Sequence, residues 1–538
     1  MSKCSVYTLR LFLLIICAVL VQLYLFDMKD VYHLDEFFSY GLANSNNGVY
    51  LFKDAIEIDN KLLSGSFFKD YLTQSPDFSF YKMWQNLKYD NHMPLYFIFL
   101  HFSSAMFQTD FSALPAIIVN VCVLIFLIYG FYKLSKSIFK NEEIALITTA
   151  LFAFYEHVLG LEVFFRMYLL QMACSVFLLK QIFDFIFYNK NQTKHLFFIT
   201  ITSSLSMLTH FYSIVFCFFS TFAGFVILLQ QKRLNDTFKF LLSMLVSVVI
   251  VYLIYPNMLS VGISGERGSQ FISTLTQYLD KPLDMLKQQM PLLINPLFGN
   301  YGIAIASIIL FTFVLFNANK KSVLSIEDKQ IVLFFSLVFV LSSLSITLIM
   351  PNMTSFQIRY FAPIIPIFII FIVWTAYYFI QFFNLKKIII YYFLWLISFS
   401  CAFYEAYNQD NPFYFRNSSL NKKISNMVVA SDVWWGHGGG NTYSWIIHNF
   451  VDKLMTADNI WTLVDYDNEE FKQFAEHGKN EKKYAYLLMP KTQEQQPQGA
   501  IDWVKNTTNR HSYYLFTIKN ENTPALALET SVFLVCPY

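Results

Sequence analysis

The sequence predicts a polytopic α-helical membrane protein with about eleven transmembrane helices, followed by a small C-terminal α/β domain. Three observations carry the prediction. Of 538 residues, 55% are hydrophobic and only 14% charged, whereas soluble domains carry about 25% charged residues. The apolar residues fall in blocks of about 15 to 22, long enough to cross a hydrocarbon core of about 30 Å. From residue 406 onward the chain turns polar and its apolar residues come in short runs. The net charge of +2 gives no sign of a nucleic-acid partner; what matters is where the charges sit.

The first apolar run, residues 9–26, follows Lys3 and Arg10 and has no small-residue cleavage site behind it. It reads as an uncleaved signal anchor with a cytoplasmic N-terminus. Residues 27–113 then form a long outer segment ending in the apolar stretch 95–107, about 13 residues and short for a span. Further spans are expected at 114–132, 144–158, 167–188, 196–209, 212–230, 237–255, 299–316, 330–350, 361–383 and 388–405. Basic loops lie between them: Lys133/Lys136/Lys140, Lys190/Lys194, Lys232/Arg233, Lys320/Lys321 and Lys386/Lys387. Lys and Arg favour cytoplasmic loops, and all five join the N-terminus there only if 95–107 lies in the membrane plane. The outer face then receives residues 27–113, the turn around 162–168, the turn at His210, the loop 256–298, the turn 351–360 and the C-terminal end.

The expected division is a transmembrane module over 1–405 and an outer domain over 406–538. In the outer domain, apolar runs at 427–430, 460–464, 484–489, 513–518 and 531–535 read as strands alternating with amphipathic or loop segments. Gly436-His437-Gly438-Gly439-Gly440 matches no dinucleotide fingerprint and reads as a flexible turn. Most of the seven cysteines lie in apolar runs, with no CxxC, and read as apolar filler. No internal repeat is visible, unlike the duplicated halves of many secondary transporters.

The residues able to carry chemistry lie on the expected outer face. Asp35 and Glu36 directly follow the first span. One reading makes Asp35 the base that takes a proton from an acceptor hydroxyl, with Glu36 opening a short helix and holding its neighbours. The other makes the pair a helix start, where acidic residues suit the first turn. The chain has only seven arginines, and two of them, Arg166 and Arg359, stand at span ends, each closely followed by a tyrosine, Tyr168 and Tyr360. A guanidinium holds phosphate oxygens in a fixed fork; it also snorkels to headgroups. His92, just before Pro94, suits a phosphate contact, support of Asp35, or a plain interfacial place. Glu162 and His210 are candidate supporting groups, and Glu162 stands four residues before Arg166, the spacing of an intrahelical pair. No cluster has the spacing of a closed zinc site.

Together these residues resemble the glycosyltransferase C superfamily, in particular the branch with protein O-mannosyltransferases, the lipid A aminoarabinose transferase and RgtA/B/C/D-like enzymes. The matching pieces are Asp35-Glu36, Asp90-Asn91-His92-Met93-Pro94-Leu95-Tyr96 in the His-Pro-Pro-Leu-Tyr place, Arg166-Met167-Tyr168, and Arg359-Tyr360-Phe361-Ala362-Pro363. Met93 stands for the first proline of that motif, and Val163-Phe164-Phe165 for Gln-Glu-Ala. The resemblance implies a glycosyltransferase C fold and a sugar donor on polyprenyl phosphate. It implies transfer to a glycolipid, polysaccharide or protein on the periplasmic or equivalent outer face, with inversion and with Asp35 as base. Arg166 and Arg359, with His92, would neutralise the departing phosphate. The resemblance leaves a divalent metal open.

Richness in Lys, Asn and Phe suggests an AT-rich genome and a bacterial inner (cell) membrane. Three other functions share the composition, one of them a structural or scaffold membrane protein whose outer α/β domain binds a partner. A lipid-linked glycan flippase or transporter should place ionisable residues near the bilayer centre, whereas here the notable charges gather at one face. An O-antigen ligase-like enzyme should carry its key basic residues in a large late outer loop, and the loop 256–298 with Glu266 and Arg267 is the candidate.

Overall fold

The computed structural model describes residues 3–29, 33–45, 62–73, 79–88, 90, 92–107, 112–188, 192–258, 325–349, 359–382, 432–436, 458–463, 469–480, 483–490, 497–508, 510–518 and 530–536. In chain order these form α1 (Lys3–Asp27), α2 (Leu34–Asn44), β1 (Leu62–Leu63), α3 (Gly65–Leu72), α4 (Phe80–Lys88), α5 (Leu95–Ser104), α6 (Leu114–Phe139), α7 (Glu142–Ala153), α8 (Glu156–Glu162), α9 (Tyr168–Phe187), α10 (Gln192–Met207), α11 (Phe211–Gln230), α12 (Leu234–Ile254), α13 (Ile326–Ile349) and α14 (Ile365–Phe382). Then follow β2 (Asp432–Gly436), β3 (Asn459–Leu463), α15 (Glu469–Asn480), β4 (Ala485–Pro490), α16 (Pro497–Thr508), β5 (Ser512–Ile518) and β6 (Thr530–Val535).

Among the described residues, six helices are long and apolar enough to cross a membrane: α1, α6, α9, α11, α12 and α13. The pair α7–α8 makes a seventh if it is one span bent by 61°. The continuous span expected over 144–158 is therefore interrupted, at Phe154-Tyr155. Helix α5 has 10 residues, about 15 Å at 1.5 Å per residue, half the thickness of a hydrocarbon core. The expected spans 299–316 and 388–405, nearly all of the loop 256–298 with Glu266 and Arg267, residues 351–358 and the glycines after Gly436 lie outside the described residues.

Two compact units divide the chain. The helical unit comprises Met1–Asp27, Asp90–Phe99 and Ala116–Phe413. Its helices approach closely through small residues, as expected where packing replaces the hydrophobic effect. Thr200 Oγ1 meets Ser243 Oγ at 2.8 Å and Ser203 Oγ meets Ser247 Oγ at 2.5 Å between α10 and α12. On α11, a Cβ at Gly224 would lie 2.9 Å from the Phe240 ring of α12, so the glycine allows this approach. Helix α7 starts at Asn141, whose side chain accepts the N–H groups of Glu143 and Ile144, with Glu142 and Glu143 in the favourable first turn.

The second unit comprises Met28–Tyr89, Leu100–Pro115 and Tyr414–Tyr538, so most of the loop 27–113 groups with the C-terminal residues instead of with the helices. The cause is visible in the sheet, which has six strands in the order β1-β3-β2-β4-β6-β5. Strand β1 of the first loop pairs antiparallel with β3, Leu62 opposite Trp461. Strands β3, β2 and β4 are parallel, and β6 and β5 complete the sheet antiparallel. Trp434, Trp461, Phe471, Leu487, Val504 and Val535 build its core with α15 and α16. The Arg510 guanidinium lies 5.0 Å over the Trp434 ring and its Nε donates to the Cys536 carbonyl at 3.0 Å. Helices α2, α3 and α4 pack together: Asn86 Nδ2 donates to the Ser45 carbonyl at 2.9 Å, closing the end of α2.

Candidate active site

In the helical unit the site is built on the turn after α8. A helix end leaves carbonyls without intrahelical partners, and here side chains from two other helices supply them. Asn120 Nδ2 donates to the carbonyls of Glu162 at 2.9 Å and Phe164 at 3.1 Å. Gln22 Nε2 donates to the Glu162 carbonyl at 3.1 Å. The turn so held presents Arg166, whose Nη2 donates to His92 Nε2 at 2.7 Å. His92 Nδ1 in turn meets Asp90 Oδ2 at 2.5 Å. The segment carrying His92 is anchored where the Leu95 N–H donates to the Leu208 carbonyl at 3.0 Å. That ties the start of α5 to the turn before α11.

Arg359 opens the short turn that leads into α14. Its Nη2 donates to the Tyr360 hydroxyl at 3.1 Å. Its guanidinium carbon lies 5.0 Å from the Tyr360 ring, 5.7 Å from that of Tyr168 and 5.9 Å from that of Phe164, within cation–π range. Tyr168 meets Tyr360 edge-on at 5.7 Å and His210 at 5.4 Å. His210 also caps α11, its Nδ1 accepting the Tyr212 N–H at 3.1 Å, so that nitrogen carries no proton. The structure thus brings Arg359, Tyr168, Tyr360 and His210 into one aromatic cluster. Phe164, on the rim of that cluster, belongs to the same turn as Arg166. Both arginines are buried.

Glu162 departs from expectation. The i to i+4 pair with Arg166 does not form, because α8 ends at Glu162 and Arg166 turns to His92. The Glu162 side chain is fully buried, and neither carboxylate oxygen has a hydrogen-bond partner among the described residues.

In the second unit, α2 explains the acidic pair. His33 is the N-cap, with Nδ1 accepting the Asp35 N–H at 3.0 Å, and Glu36 closes a capping box by accepting the His33 N–H at 2.6 Å. The Glu36 carboxylate also holds the Lys29 ammonium. Its side chain is 1% exposed, against 22% for Asp35. Glu36 is therefore committed to the cap and to Lys29, while the Asp35 side chain reaches the surface. Burial pushes the Lys29 ammonium below its ordinary value, and the charge of Glu36 opposes the shift.

Lys29, Asn120 and Gln22, which hold these segments, belong to no motif, and Asp90 is legible only as the first residue of the Asp90–Tyr96 motif. Asp90 had a signal, its place two residues before His92. The two amides had none beyond being polar residues inside apolar runs, which are costly there and thus informative. Among the described residues no group of three or more His, Cys, Asp or Glu side chains is placed to hold a metal ion.

The long apolar helices and the broken helix before Arg166 belong to a fold similar to that of solved membrane proteins. Among the solved structures it resembles are those of ArnT from Cupriavidus metallidurans. The form bound to undecaprenyl phosphate aligns with a TM-score of 0.52 at 10% identity, over 97% of both chains. The apo form gives 0.51 at 9% identity, over 98% of this chain and 97% of that one. An Archaeoglobus fulgidus oligosaccharyltransferase aligns with a TM-score of 0.41 at 11% identity, over 89% of this chain and 68% of that one. No protein-family model and no curated protein matches the sequence.

Proposed function

We propose that the chain is an integral membrane glycosyltransferase. It moves a sugar from a polyprenyl-phosphate donor to a hydroxyl of a cell-envelope glycolipid, polysaccharide or protein, on the outer face of a bacterial cell membrane and with inversion. The observation that carries this reading is the pair of buried arginine turns, Arg166 on His92 and Arg359 within the Tyr168–Tyr360–His210 cluster. A buried guanidinium needs an anion or π-faces to offset desolvation, and a lipid phosphate supplies that anion. The likeness to ArnT in complex with undecaprenyl phosphate supports the choice of donor.

In the reaction, the acceptor oxygen bonds to the anomeric carbon as the bond from that carbon to the phosphate oxygen breaks. The acceptor proton passes to Asp35, and polyprenyl phosphate leaves with its new charge on Arg166 and Arg359. Asp35 is preferred over Glu36 as base because Glu36 is buried against Lys29. Tyr168, Tyr360 and His210 shape the surroundings of Arg359, and His92 orients Arg166.

The test is sugar transfer in purified membranes from polyprenyl-phosphate sugars to native glycolipid, with wild type and Asp35→Asn at matched protein levels. Transfer by wild type and its loss in the variant are expected. Equal transfer by both would remove Asp35 from the chemistry, and no transfer by either would count against the donor class.

A further inference from the structure

We infer that Asp90 is a positioning residue: it fixes the tautomer of His92 and thereby aims the Arg166 guanidinium at the donor phosphate. The inference deepens the function proposed above and rests on it for the identity of the phosphate. The chain of bonds itself rests on geometry alone.

An arginine has five N–H donors, no acceptor, and keeps its charge in proteins. The 2.7 Å contact between Arg166 Nη2 and His92 Nε2 therefore requires a lone pair on Nε2. A neutral imidazole with Nε2 unprotonated carries its proton on Nδ1. That nitrogen faces Asp90 Oδ2 at 2.5 Å, so the carboxylate accepts the Nδ1–H. With the proton on Nε2 instead, or with both nitrogens protonated, an N–H would point at a cation and the link to Arg166 would break. Asp90 is thus the group that selects the only ring state able to hold Arg166.

All three side chains are shielded from water: Asp90 and Arg166 are buried, and the His92 side chain is 11% exposed. The hydrogen bonds therefore act in a medium of low dielectric, where they are strong and a mismatched one is costly. Both ends of the relay stand on fixed backbone, through the Leu95 to Leu208 bond on one side and the Asn120 bonds on the other. Setting the ring state therefore sets the guanidinium.

The test compares the full-length wild type with Asp90→Asn, His92→Gln and the double variant, in two measurements. The first is ¹⁵N NMR of labelled histidine, with the His92 signal assigned by its loss in His92→Gln. Wild type should show the Nδ1–H form, and Asp90→Asn should lose that preference, as an amide that both donates and accepts no longer selects one tautomer. The second is donor kinetics. Asp90→Asn should raise the KM for polyprenyl-phosphate sugar by about 10-fold or more, the scale of a lost hydrogen bond to a charged group, with kcat changed far less. The glutamine of His92→Gln has an oxygen to accept from Arg166 and no ring to tautomerise, so adding Asp90→Asn to it should move KM by less than about twofold.

An equal effect of Asp90→Asn in both backgrounds would make it a plain packing residue and overturn the inference. So would an Nε2–H form of His92 in wild type, even with transfer intact. If no protein transfers sugar but the tautomer shifts as stated, the positioning role stands and the donor assignment falls.

Discussion

The Lys29 ammonium is buried against the Glu36 carboxylate at the start of α2, with side-chain exposures of 2% and 1%. Removing one partner of a buried pair strands the other charge, which typically costs about 3–5 kcal/mol. Lys29→Met and Glu36→Gln are each expected to destabilise the unit containing α2 on that scale, and the double variant by less than the sum. Thermal unfolding of the purified chain in detergent measures all three. Additive losses would show that the pair is not coupled.

Asp432 gives a pH dependence with a defined sign. Burial raises its carboxyl above the ordinary value of 3.8, against a bond from Asn459 and the charges of Lys483 and Arg510. Between 3.8 and the raised value the folded protein holds more protons than the unfolded chain, so this group's stability contribution falls as pH rises through that window. Limited proteolysis of the C-terminal strands in the intact protein should therefore differ less between mildly acidic and neutral pH in Asp432→Asn than in wild type.

Asn120→Ala would leave the carbonyls of Glu162 and Phe164 without a donor from α6. An unmade buried bond costs about 1–3 kcal/mol, and the turn it holds carries Arg166. The expected result is a higher KM for the lipid-phosphate donor with modest loss of fold stability, read by donor titration beside a melting curve. An unchanged KM would mean that the Gln22 bond suffices.

Glu162→Gln should be tolerated. The carboxylate has no hydrogen-bond partner among the described residues, so removing its charge while keeping its shape forfeits no contact. Transfer activity within about twofold of wild type and an unchanged or raised melting temperature are expected; a loss like that of Asp35→Asn would place Glu162 in the chemistry.

The helices were largely legible because hydrocarbon imposes one rule on every span. Expected ends at 114, 212 and 237 fall within a few residues of α6, α11 and α12. The break at Phe154-Tyr155 was not legible, since the apolar run carries on through it and only tertiary partners decide where it bends. Runs at 460–464, 484–489, 513–518 and 531–535 coincide with β3, β4, β5 and β6, while the run at 427–430 falls just before β2. Strand β1 was invisible because two residues have no periodicity. Arg166 and Arg359 stood out by rarity and place. The partner of Arg166 did not: nearest in sequence is Glu162, whereas the fold supplies His92 from 74 positions away.

The pairing of Leu62 with Trp461 also constrains how the chain is threaded. Two strands can share a ladder only in one aqueous compartment, and no lipid-exposed sheet edge is stable in hydrocarbon. The two strands therefore share one side of the membrane. Inserting or deleting a single span anywhere in that interval would strand β1 and β3 on opposite sides of the bilayer. The sheet thus acts as a parity check on membrane insertion, completed only when β6, Thr530–Val535, emerges at the far end of the chain.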